Sequence, residues 1–178
     1  FYLEAAELFE AAKNEVGWAT SLNNIGVMYE KLKNHSKALE YYSKALEIEK
    51  ATGNDNGVAM TLGNMGLLQI SMGKHSEAEK NLKMALQMSE NIESLDLMKE
   101  TNGYLSDLYE ETGRFQLALF HFKNHIKLRD SVLNDEKIKE ALEKELQFDY
   151  EKKKTIDSVA NAKEREVKNA EIDKKNAE

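Results

Sequence analysis

Cysteine and proline are both absent from this sequence of 178 residues, which also has only one tryptophan. Without cysteine, disulfides and thiolate-bound metal sites are excluded, while the redox compartment stays open. No run of apolar residues approaches the roughly 20 that a helix needs to cross a bilayer. No signal peptide is visible, and because the chain opens on Phe1 we expect it to be a piece of a longer protein.

An excess of positive charge is also missing. The formal net charge is −7, with 25 Lys and Arg residues against 32 Asp and Glu residues. This balance disfavours nucleic acid and anionic membranes as partners, because both repel an acidic surface. Hydrophobic residues make up 41% of the chain, which is enough to bury the core of one domain. We therefore expect a folded chain that contacts neither nucleic acid nor membrane.

The chain does contain an internal repeat with a period of forty residues. Leu22–Tyr29 (LNNIGVMY) returns as Leu62–Gln69 (LGNMGLLQ) and, in a weaker copy, as Asn102–Tyr109 (NGYLSDLY). A fixed period of this length indicates stacked pairs of secondary-structure elements, and such stacks usually form a binding surface. The repeat therefore predicts a partner before it predicts a substrate.

Turns at one phase separate the predicted helices. Gly73 and Gly113 suit the left-handed residue that ends a helix, and Ser36 and Ser76 suit the N-cap that begins the next one. After each turn, a small residue, a residue four further on and a residue three beyond that share one helix face. The three sets are Ala38, Tyr42 and Ala45, then Ala78, Leu82 and Ala85, then Ala118, Phe122 and His125.

Two glycines lie in the middle of predicted helices. Glycine at such a position costs about 1 kcal/mol relative to alanine, yet Gly26 and Gly66 share one phase of the repeat. The shared phase predicts helix crossings that are too close for a Cβ atom.

This order of residues resembles the tetratricopeptide repeat. The family's succession of bulky, Leu-Gly, Tyr, Ala, aromatic and Ala positions is followed by Leu22, Ile25, Gly26, Tyr29, Ala38, Tyr42 and Ala45. The helix-ending proline of the family is missing, and the forty-residue period is similar to the long-helix form of kinesin light chains and many bacterial signalling proteins. The resemblance implies an all-α, right-handed solenoid of about three and a half repeats over residues 1–132, divided as 1–16, 18–52, 58–92 and 98–132.

In that family the first helices of the pairs line a concave groove, which implies a set of partner-binding residues in this chain. An asparagine amide in such a groove can both donate to and accept from a peptide backbone; alternatively, Asn24 and Asn64 bond between adjacent helices. The Lys and Arg side chains that clamp a carboxylate in some members of the family are missing here. The implied residues are Asn23, Asn24, Val27, Asn64, Leu67, Ile70, Tyr104 and Asp107, with Glu30 and Glu110 beside them.

Residues 133–178 have a different composition, with 13 acidic and 11 basic residues. We expect one helix or two, beginning at Asn134 or Asp135 and about 66 Å long if continuous. One interpretation is a solvated helix held by ion pairs. The other is a signalling or dimerising helix in which residues 135–178 pair with a second copy of the chain, because so few apolar residues need a second surface.

Repeats that run into such a helix resemble the extracytoplasmic part of repeat-containing bacterial sensor histidine kinases, where the helix leads to a membrane span and an output domain. The resemblance implies a non-catalytic protein-interaction or sensory segment of a signal-transduction protein, in the periplasm. The alternatives are a stand-alone cytoplasmic adaptor and a regulatory domain of an enzyme whose catalysis lies elsewhere in the parent.

Catalytic, metal and cofactor sites are not predicted. Glu110 and Glu111 are adjacent and therefore face different sides of their helix, which is poor geometry for paired acid–base chemistry. His121 and His125 lie four apart and could share a metal ion, but no third ligand is spaced with them. Phosphate-binding loops and nucleophile elbows are absent from the sequence.

Overall fold

The computed structural model describes the backbone of residues 2–177, together with the side chains of residue 4, residues 6–135 and a few positions between 137 and 158. Within this part of the chain every regular element is an α-helix, which confirms the predicted all-α class. The helices are α1 (Tyr2–Ala11), α2 (Glu15–Lys31), α3 (His35–Ala51), α4 (Asp55–Ser71), α5 (His75–Asn91), α6 (Leu95–Glu111) and α7 (Phe115–Ala177).

The turns between helices recur every twenty residues, which is half of the sequence period. Positive φ angles occur at residues 13, 33, 53, 73, 93 and 113, as predicted for Gly73 (φ 69°) and Gly113 (φ 71°). In each turn the next residue donates its N–H to the carbonyl five positions earlier, as Asn34 does to Tyr29 at 2.8 Å. This is the Schellman motif, which pairs carbonyls left open at a helix end.

The residue after each left-handed position acts as the N-cap, so the predicted caps at Ser36 and Ser76 are wrong. Helices α3 and α5 begin one residue earlier than those serines and are capped by Asn34 and Lys74. The Schellman turn is so short that the next helix begins two residues after the left-handed one. Side-chain oxygens of three caps accept a backbone N–H at 2.9–3.2 Å; these caps are Asn14, Asn34 and Asn54.

Helix pairs cross at the two mid-helix glycines. An ideal Cβ atom on Gly26 would lie 2.6 Å from Cδ1 of Tyr42, and one on Gly66 would lie 2.5 Å from Cγ of Leu82. Both partner side chains are fully buried. The prediction of crossings too close for a Cβ is therefore confirmed, and at these crossings the glycine cost is offset by burial of a large side chain.

The third pair, α6 with α7, packs differently. Ser106 stands where the other pairs have glycine, and its Oγ donates to the carbonyl of Ala118 at 3.2 Å. The Ser106 side chain occupies the space that a large residue would fill, so Phe122 is 51% exposed and His121 is buried instead. The prediction that Phe122 fills this helix crossing is therefore wrong.

By its internal contacts the chain divides into two units, Phe1–Val132 and Leu133–Glu178. The predicted helix start at Asn134 or Asp135 is wrong, because α7 begins at Phe115 and no glycine or proline interrupts it afterwards. In the second unit Leu133, Ile138 and Leu142 are about half exposed. The other apolar residues of the predicted pairing surface lie outside the described side chains; they are Leu146, Phe148, Ile156, Val159, Val167 and Ile172.

None of the described helices combines the length and the apolar composition that a membrane span needs.

Candidate partner-binding groove

Helices α2, α4 and α6 lie on one side of the repeat unit. Helix α2 contacts α4 and α4 contacts α6, whereas no Cα atom of α3 comes within 8 Å of α5 among the described residues. The first helices of the pairs are therefore closer to one another than the second helices are. This difference makes the surface of α2, α4 and α6 the inner one.

Two rows of side chains cross this inner surface at equivalent positions. The first row is Asn24, Asn64 and Tyr104, and all three are half-buried. The second row is Val27, Leu67 and Asp107, of which the first two are half-buried and Asp107 is exposed. Residues spaced forty apart, one per helix, thus form two strips, each with polar and apolar groups, that a partner could contact.

Two of the predicted groove residues lie inside the fold. Ile70 is 7% exposed and belongs to the core cluster around Leu82 and Leu105. Asn23 is 2% exposed, and its Oδ1 accepts from Asn64 Nδ2 at 3.2 Å. Their side chains hold helices together and are not presented to a partner.

The network around Asn23 continues away from the groove. Thr61 Oγ1 lies 3.3 Å from Asn23 Oδ1 and 3.1 Å from Oε1 of Glu49 on α3. Glu49 is 1% exposed, and within the described part of the chain its Oε2 has no hydrogen-bond partner. Burial raises the pKa of the Glu49 carboxyl, while the bond from Thr61 opposes the shift. An acidic residue type predicts exposure, so no sequence signal indicates this buried carboxyl.

Carboxylates surround Tyr104 in the first row. Burial raises the pKa of the Tyr104 hydroxyl, and Glu100, Glu30 and Asp107 raise it further. Glu30 belongs to α2 and Tyr104 to α6, so the charge on one helix acts on a side chain of the other. Glu100 was not among the predicted groove residues, although its position one helical turn before Tyr104 is a readable signal.

The carboxyl groups of Glu30 and Asp107 have different environments. Oε2 of Glu30 accepts a hydrogen bond of 2.7 Å from the buried hydroxyl of Tyr42, which fixes the carboxylate at the groove edge. Partial burial of the Asp107 carboxyl raises its pKa, although the residue as a whole is exposed, and Glu110 and Glu111 add to the shift. The groove therefore combines half-buried apolar groups with a cluster of negative charge.

The two histidines that lie four residues apart, His121 and His125, both contact α6. Nδ1 of His121 lies 2.9 Å from Oδ1 of Asn102, and Nδ1 of His125 lies 2.9 Å from the carbonyl of Lys99. Among the described residues no group of three or more His, Asp or Glu side chains is arranged to hold a metal ion. Both rings connect α7 to α6, which is a structural role.

Residues 19–91 match the family model of the tetratricopeptide repeat. The resemblance predicted from Leu22 to Ala45 is confirmed by this match and by the helix pairs. These residues form a tetratricopeptide-repeat solenoid, a class of protein-interaction modules that are generally non-catalytic. No curated protein matches the sequence.

Several solved structures share the fold. BtubC (BKLC) from P. vanneervenii is 24% identical with a TM-score of 0.64 over 74% of this chain. Aspartyl phosphate phosphatase F from Bacillus subtilis is 15% identical with a TM-score of 0.54 over 72% of this chain. The apo form of RapI is 18% identical with a TM-score of 0.50 over 75% of this chain. The matches cover 55%, 43% and 61% of those proteins, and at these identities they show the fold alone.

Proposed function

We propose that the surface of α2, α4 and α6 binds a peptide segment of a partner protein. The observation that carries the proposal is the pair of rows formed by positions 24, 64 and 104 and positions 27, 67 and 107. Side chains at one register on three successive helices offer a repeated contact to an elongated ligand. The side chain of Asn24 makes no hydrogen bond to any described residue, so its amide is available to pair with a peptide backbone.

The charges of the groove favour a partner segment that carries basic residues beside apolar ones. Glu30, Glu100 and Asp107 each raise the pKa of Tyr104, so their negative charges all act at this place in the groove. Val27 and Leu67 offer apolar surface to its neighbours. Complementary charge would raise the association rate and make binding sensitive to salt.

A library of displayed peptides would test the groove. We expect selected peptides to be enriched in Lys or Arg, and the double variant Asn24→Ala, Asn64→Ala to weaken their binding in calorimetry. A matched double variant, Asn56→Ala with Asn91→Ala, changes two exposed asparagines outside the rows and should bind as the native chain does. Equal losses in both double variants, or peptides without basic residues, would contradict the proposal.

The parent protein is proposed on a separate basis. We propose that the chain is the sensory or interaction part of a bacterial signal-transduction protein, a sensor histidine kinase or a related regulator, outside the cytoplasm. The support is the order of the elements, with repeats followed by a charged helix that could transmit a change to an output domain. The flanking gene sequence tests this, since a membrane span and a kinase or DNA-binding domain must follow residue 178.

Residues 135–178 are proposed to pair with a second copy of the chain. The support is the half-exposed Ile138 and Leu142 on a helix with few apolar groups, because an isolated helix of this composition is marginal in water. Truncation after Asn134 should leave the helical signal of the repeats and lower the mass in sedimentation. A native chain that sediments as a monomer at tens of micromolar would contradict pairing through this segment.

A further inference from the structure

A cavity lies on the other side of α2 from the groove. It has a volume of about 620 Å³, is lined by α1, α2 and α3, and is open to solvent on one side. Trp18, Leu22 and Ile25 of α2 form its floor. At about 100° per residue these side chains project nearly opposite to Asn24 and Val27. A ligand in this cavity would therefore not compete with a peptide in the groove.

One residue on the wall of this cavity is smaller than its equivalents in the other repeats. Ala6 on its wall stands forty residues before Leu46 and eighty before Leu86. Leu46 packs against the cluster of Val58, Leu62 and Ala85. In the third repeat the equivalent place, which Leu86 lines, keeps a smaller cavity of about 270 Å³. Alanine has three carbon atoms fewer than leucine, so more space is open at this place in the first repeat.

Aromatic rings distinguish this space from the equivalent place in the second repeat. Trp18 corresponds to Val58 in the second repeat, and Tyr41 on the wall corresponds to Asn81. The Tyr41 ring stacks on Tyr29 with 5.4 Å between centroids and has Nζ of Lys44 at 5.3 Å, so Trp18 offers the freer aromatic surface. Ring faces of this kind hold ammonium and guanidinium groups, and tryptophan does so best.

Four carboxylates surround the opening, namely Glu7, Glu10, Glu15 and Glu47. Lys44 is the one basic residue in the lining, and its Nζ is paired with Glu40 at 2.6 Å. An anion would meet four like charges at the opening, whereas a cation would be attracted from solution. Charge at the rim and apolar surface at the floor thus select different parts of one ligand.

From this combination we propose that the cavity binds a small organic cation, in which an ammonium or guanidinium group is joined to an aromatic or aliphatic body. The body lies between Trp18 and Tyr41, and the positive group lies among the rim carboxylates. The volume is within the range of small-ligand sites, about 300–1,000 Å³. This function is independent of the peptide groove.

Phenethylammonium is the probe that matches this description, with 2-phenylethanol as its neutral counterpart and phenylacetate as its anionic one. Trp18 is the only tryptophan of the chain, so its fluorescence reports occupancy directly. We expect a saturable change with phenethylammonium at millimolar or lower Kd. The alcohol should bind about fivefold more weakly, and the anion more weakly still. Equal affinities for all three, or no saturable change by about 10 mM, would overturn the proposal.

Two variants locate the ligand. Ala6→Leu restores the residue of the other repeats and should lower the affinity by about tenfold or more while circular dichroism stays unchanged. Glu15→Gln should lower the affinity for phenethylammonium about two- to fivefold and leave that for 2-phenylethanol unchanged. Glu77→Gln changes an exposed glutamate on α5 and should have no effect. Binding that survives Ala6→Leu, or that responds equally to both Glu variants, would overturn the proposal; if Ala6→Leu does not fold, the comparison of Glu15→Gln with Glu77→Gln decides it.

Discussion

The variant Glu49→Gln should be more stable than the native chain at pH 7 and about as stable as it at pH 4. A hydroxyl carries one proton, so Thr61 can donate either to Glu49 or to Asn23 but not to both. When Glu49 is protonated it can donate to Thr61, and Thr61 then donates to Asn23. The amide of a glutamine reproduces that protonated arrangement at every pH.

The size of the effect follows from the buried, unpaired Oε2 of Glu49. Leaving such an acceptor without a partner costs about 1–3 kcal/mol. The glutamine amide of the variant keeps one oxygen, so we take the lower end, about 1 kcal/mol, which raises Tm by about 2–4 °C in a protein of this size. Helices α2, α3 and α4 meet at this network, so the gain stabilises the packing of these three helices against one another.

The sign of the pH dependence comes from burial, which raises the pKa of Glu49 in the folded state. Its stabilising contribution is complete below the unfolded pKa of about 4.3 and is lost as the pH rises through the folded value. The Tm difference between Glu49→Gln and the native chain should therefore grow as the pH rises above about 4.3. Thermal melts followed by circular dichroism at several pH values measure it.

The exposed Glu47 on the same helix provides the control, since Glu47→Gln should follow the native chain at every pH. A Tm difference for Glu49→Gln that does not change with pH would refute the shifted pKa. A loss of stability at pH 7 would refute the argument that the single hydroxyl proton of Thr61 can serve only one of its two acceptors.

Three further changes test other parts of the fold. Glu79→Gln should cost about 1 kcal/mol at neutral pH; because Lys83, and then Arg114, lower the pKa of Glu79 to about 2, the cost should vanish in melts as the pH falls from about 4 to about 2. Ala78→Leu should overpack a fully buried position and cost about 1–3 kcal/mol in melts, and an unchanged Tm would contradict the assigned crossing. Glu93→Gly should raise Tm by about 1–3 °C because φ is 54° there, and a lower Tm would contradict this.

Much of the fold could be predicted because a glycine in the middle of a helix is explained by few features other than close packing. Gly26 and Gly66 recur at one phase and meet Tyr42 and Leu82 at distances that admit no Cβ. A mid-helix glycine that costs stability is retained where close packing offsets the cost. The forty-residue period therefore predicts the helix pairs and their crossings directly.

Other features depend on more than one position and could not be read in the same way. Phe122 has the residue type of a crossing residue, but Ser106 on the facing helix occupies its place. Asn34 and Ser36 are both good caps, and the Schellman turn decides between them. Only the structure shows that the left-handed residue at position 33 is immediately followed by the cap.

The candidate groove illustrates the same limit. Asn24 and Asn64 share one phase of the repeat, so the sequence treats them as equivalent, but their environments differ. The amide of Asn64 donates to Asn23, which Thr61 connects to Glu49. The side chain of Asn24 makes no hydrogen bond within the described part of the chain. Because of this difference, the loss of Asn64 removes a helix-to-helix bond as well as a proposed groove contact, whereas the loss of Asn24 removes a proposed groove contact alone.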